Sequence, residues 1–224
     1  MIRTALLSSI FLFANSVLAA DAANINANDW HRIKEQDGVI AYKMRDDKSG
    51  LYLFKSVGVI EAPIDQVLSV VVDSKEAQEW VPKLMECEIL DVSEFPDTFL
   101  QYSKYDVPWP MKDRVFISDV KIDVDPRTHR TEIRYTNTQH QIDYDPEKVV
   151  QGYIGGSTYT LVPTRAGFTH ITAVSVVDPK GGVPAWLVNW VAESMPFDTM
   201  QRLRARLESD DLVLDENLIA LYQE

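Results

Sequence analysis

Asp178-Pro179-Lys180-Gly181-Gly182-Val183-Pro184-Ala185-Trp186-Leu187-Val188-Asn189-Trp190 is the stretch that decides the fold. An apolar run ends at Asp178, the glycine pair permits a tight reversal, and Pro184 stands where the first turn of a helix accepts proline. The chain therefore passes from a strand straight into a helix. The helical pattern spans Val183 to Leu207, with Trp186, Leu187, Trp190, Val191, Phe197, Met200 and Leu203 as its apolar positions. Arg202, Arg204 and Arg206 follow at the carboxyl end, where cations complement the helix dipole. Pro196 predicts a break in this helix, because its ring removes one amide and crowds the carbonyl of Ala192. Ser194 would cap a second rod beginning at Met195, and the break is either a joint that lets one rod tilt or a fixed kink. A last amphipathic piece, Leu214 to Tyr222, is expected to fold back onto the body.

Working back from Asp178, the segments Phe168 to Val177, Val149 to Val162, Arg130 to Asn137 and Arg114 to Val124 read as strands. In the last of these, Phe116, Val120, Ile122 and Val124 share one parity while Asp119, Lys121 and Asp123 share the other, so one face is wet. Gly152, Gly155 and Gly156 mark a bulge, a close backbone approach or a turn within the 149–162 run. Further back, Pro63 opens a helix whose stripe is Ile64, Val67, Leu68 and Val71. A second short helix is expected to carry Ala77, Trp80, Leu84 and Met85, interrupted at Pro82. Val39 to Arg45 and Leu51 to Ile60 read as strands joined by a turn at Asp46–Gly50. Before them, Asn28 or Asp29 would cap a short helix through Trp30, Ile33 and Lys34, stopped by Gly38. Roughly seven strands in hairpin succession imply an antiparallel, strongly curved sheet in an α+β domain.

The composition supports one domain with a full core: 224 residues, 46% of them hydrophobic. Acids outnumber bases 34 to 22, a net charge of -12, which excludes a phosphate-neutralising surface and so nucleic acid as a partner. Arg3, the apolar run Ala5 to Phe13 and the small-residue pattern Val17-Leu18-Ala19 read as a secretory signal peptide within residues 1–22, cut near Ala19 or Ala22. That apolar run is far short of the roughly 20 residues a membrane span requires. The only cysteine, Cys87, has no partner for an internal disulfide, so an exported chain must rely on its core. A periplasmic location fits that combination.

Signals for catalysis are sparse. His31, His129, His140 and His170 are scattered without metal-ligand spacing, and neither a nucleophile elbow nor a glycine-rich phosphate loop is present. No catalytic residue, metal or cofactor is assigned. Asp119 and Asp123 read as solvated surface, and His170 as a hydrogen-bonded structural side chain.

Val107-Pro108-Trp109-Pro110-Met111-Lys112-Asp113-Arg114 is a signal of another kind. Two prolines hold Trp109 and Met111 in place at little entropic cost, either as a rigid connector whose tryptophan plugs the core or as a presented apolar loop. Together with the 178–190 stretch, this loop resembles the START family of lipid-transfer domains. The likeness is strongest to phosphatidylcholine-transfer members, which carry a Pro-aromatic-Pro-Met-x-x-Arg loop and a Pro-Gly-Gly-x-Pro-x-Trp-Leu-x-Asn-Trp helix entrance.

The resemblance implies a helix-grip fold over residues 24–208, with 209–224 as a helical extension: a curved antiparallel sheet wrapped around the long carboxyl-terminal helix, enclosing a tunnel for one lipid. It also implies a lining. Phe116, Val120, Ile122, Tyr135, Tyr153, Trp186 and Trp190 are candidates for the walls, with Trp109, Met111 and Arg114 at the bordering loop and Phe197 and Met200 on the second half of the lid. Trp80 matches a tryptophan that phospholipid-binding relatives flank with an arginine and an aspartate. Ala77 and Val81 occupy those flanking positions here, and Val120 aligns with the buried arginine of sterol-binding relatives. Neither a choline head group nor the familiar sterol contact therefore carries over. Arg114 would either contact the ligand or form a salt bridge to Asp113 or Asp119. The expected function is sequestration of a phospholipid, fatty acid, sterol or isoprenoid by a monomer that touches membranes briefly. Two alternatives stay open: an enzyme on the same scaffold acting on aromatic or polyketide-like substrates through an inward Asp119, His170 or Tyr153, and a protein-binding adaptor without a cavity.

Overall fold

A computed structural model of the chain describes residues 30–45, 52–140 and 144–223. The expected signal peptide, the helix cap at Asn28 or Asp29 and the turn at Asp46–Gly50 lie outside the described residues. Strands β1 (His31–Gln36) and β2 (Val39–Arg45) form a hairpin across Asp37 and Gly38, whose φ angles of 51° and 72° suit a two-residue hairpin turn. This corrects the helix expected through Trp30, Ile33 and Lys34. The Asp-Gly pair sets a turn there, and pairing with β2 satisfies a backbone whose side chains are mostly exposed. Strand β3 (Tyr52–Ile60) follows, then α1 (Ile64–Val72), which opens after Pro63 and buries Ile64, Val67, Leu68 and Val71 as its stripe predicts. Helix α2 is a single turn (Ala77–Trp80). Leu84 and Met85, expected on it, begin β4 (Leu84–Glu94) instead, because Pro82 ends the helix and Lys83 turns the chain with φ 65°.

The remaining strands are β5 (Thr98–Tyr105), β6 (Asp113–Val124), β7 (Thr131–Asn137), β8 (Val149–Gln151), β9 (Tyr153–Ile154), β10 (Ser157–Pro163) and β11 (Thr169–Asp178). All eleven described strands join one sheet, more than the seven expected: the glycines split the 149–162 run into β8, β9 and β10, β1 stands where a helix was expected, and β4 and β5 fill 84–105. At Gly152 the reason is close approach: a Cβ there would lie 2.2 Å from Phe116 Cε1. The main path runs β1-β2-β3-β11-β10-β7-β6-β5-β4 and is antiparallel throughout, with short β8 parallel to β6 and β9 beside β11.

Helix α3 (Ala185–Leu207) lies in the grip of this sheet, against β1, β2 and β3 and against α1 and α2. It runs unbroken through Pro196, which corrects the expected two rods. One missing amide is outweighed by what fixes the second half. Phe197, Met200 and Leu203 are buried in the core, with Met200 reaching the bare backbone at Gly58. Arg204 donates to the carbonyl oxygens of Val59 and Asp37, each at 2.9 Å. Arg206 is buried among Glu76, Glu79 and Asp211. Helix α4 (Glu216–Ala220) folds back and buries Leu218.

Candidate functional site

Strand register shows how the sheet is divided. On its concave face, β5 contributes Tyr105, Ser103, Gln101 and then Phe99; β6 contributes Arg114, Phe116, Ser118 and then Val120. On β7 the sequence is Tyr135 then Ile133, and on β10 it is Ser157, Tyr159 then Leu161. In each series the earlier residues line a cavity of about 700 Å³, and the last, apolar one belongs to the packed core. Helix α3 splits the same way. Leu187, Val188, Trp190, Val191 and Met195 line the cavity, whereas Phe197, Met200 and Leu203 fill the core. One half of the grip is hollow and the other solid, and Pro196 sits at the division.

Polar groups on the lining fall into two sets. Toward the loops 107–113 and 179–182 are charged groups: Lys83 paired with Asp106 at 2.8 Å, Lys180 paired with Asp178 at 2.5 Å, and Arg114. Arg114 is buried, and among the described residues no acid neutralises it at salt-bridge distance. Its guanidinium instead donates to three backbone carbonyls, Pro179 at 2.6 Å, Lys180 at 3.2 Å and Lys112. Burial pushes its pKa down, against the opposing field of Asp113. So neither the salt bridge to Asp113 nor that to Asp119 forms; Arg114 clamps the loop before β6 to the entrance of α3.

The second set is uncharged. It comprises Cys87, Gln101, Ser103, Tyr105, Ser118, Tyr135, Ser157, Tyr159 and Ser175. Tyr135 and Tyr159 stack edge to face with ring centroids 6.1 Å apart, as do Tyr105 and Phe116 at 5.8 Å. Desolvation raises the pKa of the Tyr105, Tyr135 and Tyr159 hydroxyls and pushes the Cys87 thiol up to about 12. These groups stay neutral at any physiological pH.

Of the candidate lining residues, Trp80, Arg114, Phe116, Tyr135 and Trp190 come together on the cavity wall. Trp80 is buried, and its Nε1 has no hydrogen-bond partner among the described residues. The rest do not line it. Val120, Ile122, Phe197 and Met200 are core residues, one layer too deep on their strands or helix. Trp109 is 90% exposed, so it neither plugs the core nor borders the chamber, although Val107 and Pro108 beside it do line it; Met111 is half-buried off the wall. Trp186 is 55% exposed on the outer face of α3. Tyr153 packs outside the chamber, its ring 5.9 Å below the Lys180 ammonium. Asp119 and His170 are exposed, so the inward acid or base an enzyme would need is not supplied by them. The sequence reading missed Gln101, Ser103, Ser118, Tyr159 and Met195. Ser118 shares the parity already read on β6 and Tyr159 that of Leu161 on β10, whereas β5 shows no alternation that marks Gln101 and Ser103, and Met195 has no signal.

The START domain family matches residues 13–211. An uncharacterized protein of Pseudomonas aeruginosa is 28% identical over 189 residues, covering 84% of this chain and 91% of that one. The phosphatidylcholine transfer protein of Rattus norvegicus is 22% identical over 186 residues, covering 74% of this chain and 78% of that one. Among solved structures, a STAR-related lipid transfer protein from Xanthomonas axonopodis superposes with a TM-score of 0.70 at 23% identity, over 81% of this chain and 99% of that one.

Proposed function

The chain belongs to the START domain family, and from that premise we propose that it is a periplasmic carrier that takes up one hydrophobic or amphipathic lipid, shields it from water and passes it on. The observation that carries this reading is the chamber of about 700 Å³ between the hollow half of the sheet and the first half of α3, walled by Trp80, Leu84, Phe116, Leu187, Trp190 and Val191. Each methylene moved from water into such a wall gains about 0.8 kcal/mol, so a long tail or ring system is held without covalent chemistry. The carrier works as a monomer. Exposed Trp109 and Trp186 suit brief contact with a bilayer, where indole rings favour the head-group level. A net charge of -12 disfavours long residence on an anionic surface. Export is supported by Arg3, the apolar run after it and the small residues at 17–19.

Native mass spectrometry of gently purified mature protein tests the reading, with transfer between donor and acceptor vesicles as the second arm. A 1:1 lipid adduct, or one regained from vesicles after delipidation, is the expected result. Protein that stays empty against fatty acids, phospholipids, sterols and isoprenoids would overturn it. Amino-terminal sequencing of the periplasmic fraction tests export, with a start just after Ala19 or Ala22 expected.

A further inference from the structure

Four neighbouring strands end their share of the chamber in the same way. Gln101 on β5, Ser118 on β6, Tyr135 on β7 and Tyr159 on β10 are each the innermost lining residue of their strand. The next residue of the same parity, Phe99, Val120, Ile133 and Leu161 respectively, is buried and apolar. The chamber thus closes on a layer of uncharged hydrogen-bonding groups laid over a dry core. Gln101 and Ser118 are direct register partners, and the Tyr135 and Tyr159 rings touch edge to face.

No side-chain hydrogen bond links any of these four to another described residue, and their polar atoms open onto the chamber instead of being sealed in its wall. A hydroxyl or amide sealed off by an apolar ligand and left without a partner would cost about 1–3 kcal/mol. A ligand that supplies those partners is therefore favoured over one that does not, and its chemistry is constrained by charge. The lining cations Lys83, Arg114 and Lys180 lie at the other end, two of them paired with acids and the third spent on carbonyls. An ionised head at the floor would therefore be buried without a counter-charge, which is far costlier than burying a neutral one. Size narrows the class too. At roughly 30 Å³ for each water-sized group, the 700 Å³ chamber holds about two dozen non-hydrogen atoms. That is one long chain or one fused-ring body, and only about half of a two-chain phospholipid.

Building on the carrier reading, we infer that the ligand is a single-chain or fused-ring lipid with an uncharged hydroxyl or carbonyl at its leading end, and that this group docks on the Gln101, Ser118, Tyr135 and Tyr159 floor. The apolar body then lies along Phe116, Leu187, Trp190 and Val191, with its trailing end at the Arg114 clamp. The floor holds its hydrogen-bonding form at any physiological pH, because desolvation keeps both tyrosines protonated.

Calorimetric titration with three probes of one chain length, each delivered from cyclodextrin, tests this: oleyl alcohol, oleate at about pH 9 where it is ionised, and 9-octadecene. The parent protein is expected to bind the alcohol at least tenfold more tightly than either other probe. Tyr135→Phe combined with Tyr159→Phe should bring the alcohol down to the level of the alkene without changing alkene affinity, and Ser118→Ala should move it part of the way. Oleate binding as tightly as the alcohol overturns the inference, as does a folded double variant that keeps its full preference. Binding of all three probes without discrimination overturns this inference alone and leaves the carrier reading standing. Binding of none, and of no phospholipid from vesicles, overturns both.

Discussion

Gly152→Ala probes the chamber wall from behind. Gly152 is held against β6 by its amide, which donates to Val115 O at 2.9 Å, and a Cβ there would sit 2.2, 2.7 and 2.9 Å from three atoms of the Phe116 ring. Ordinary contact begins near 3.4 Å, so the ring must retreat by more than an ångström. Tyr105 packs edge-on against it, leaving the chamber as the free direction. Overpacking a filled core costs about 1–3 kcal/mol; with a void to move into, the cost belongs at the low end, about 1 kcal/mol. The greater effect falls on the ligand, whose space the ring now occupies. Urea unfolding with and without oleyl alcohol separates the two effects. Ligand at 100 times its dissociation constant adds about 2.7 kcal/mol to the parent. A tenfold loss of affinity would remove about 1.4 kcal/mol of that increment in the variant. Gly167→Ala is the control: its φ of 79° strains any side chain, but nothing lies within 4 Å, so it should lower stability and leave the ligand increment intact. A Gly152→Ala protein with the parent's stability and increment would refute this account of the wall.

Arg206→Met should lower unfolding free energy by about 2–3 kcal/mol, since it removes charge-assisted bonds to Glu76 and Asp211 while the carboxylates stay partly hydrated; chemical denaturation reads it, and oleyl alcohol affinity should stay within a factor of two or so. Stability should fall as pH rises from 9 toward 12. Below the ordinary thiol value of 9.0 and tyrosine value of 10.0 both states hold their protons, but above them the unfolded chain ionises while Cys87, Tyr102 and Tyr222 keep theirs up to about 12. A urea midpoint that is flat or rising between pH 8 and 10.5 would contradict this. Pro196→Ala should restore the bond to the Ala192 carbonyl, raise stability by up to about 3 kcal/mol and slow vesicle-to-vesicle exchange; exchange as fast as the parent's, in folded and loaded protein, would show that the proline has no part in opening.

Sequence periodicity reached as far as residues whose environment is one-sided. The parity of β6 was legible because Asp119, Lys121 and Asp123 face water opposite Val120 and Ile122; the α1 stripe is buried as its spacing implies, but Ser69, Val70 and Val72 beside it are buried too, so burial there is wider than the stripe. The strand-to-helix entrance was legible from the glycine pair and Pro184. Periodicity could not say where along a strand the interior turns from solid to hollow. Val120 and Ser118 share a face and differ in whether the packed core or the open chamber lies above them, which is a property of how the helices are placed over the sheet. For the same reason Phe197 and Met200 read as lining when they are core. The sequence leaves Trp109 open between plugging the core and standing on a presented loop, because an aromatic between two prolines carries no information about which side of the backbone meets water; its 90% exposure selects the presented loop. The helical spacing of Trp30, Ile33 and Lys34 hides the β1 strand, which is set instead by the Asp37-Gly38 turn beside them and by pairing with β2.

The division of α3 bears on how a lipid gets in. Its second half is fixed three times over: by burial of Phe197, Met200 and Leu203, by Arg204 on the β3 and turn carbonyls, and by Arg206 on three acids. Its first half packs mostly on the chamber, with Leu187 buried but Trp186 largely exposed, so fewer buried side chains oppose its displacement than in the second half. At the amino-terminal end, Arg114 grips the backbone carbonyls of Pro179 and Lys180 just before the helix begins, and Lys180 is held by its ion pair with Asp178 and lies over the Tyr153 ring. At the other end Pro196 withholds one amide where the hollow and solid halves meet. Residues 179–195 are therefore bounded by a polar latch and one weakened helical turn. Opening that segment exposes the chamber without unpacking the core. A continuous helix with a single absent bond suits this better than two separate rods, because it holds the lid closed over a loaded chamber and still leaves one place where it yields.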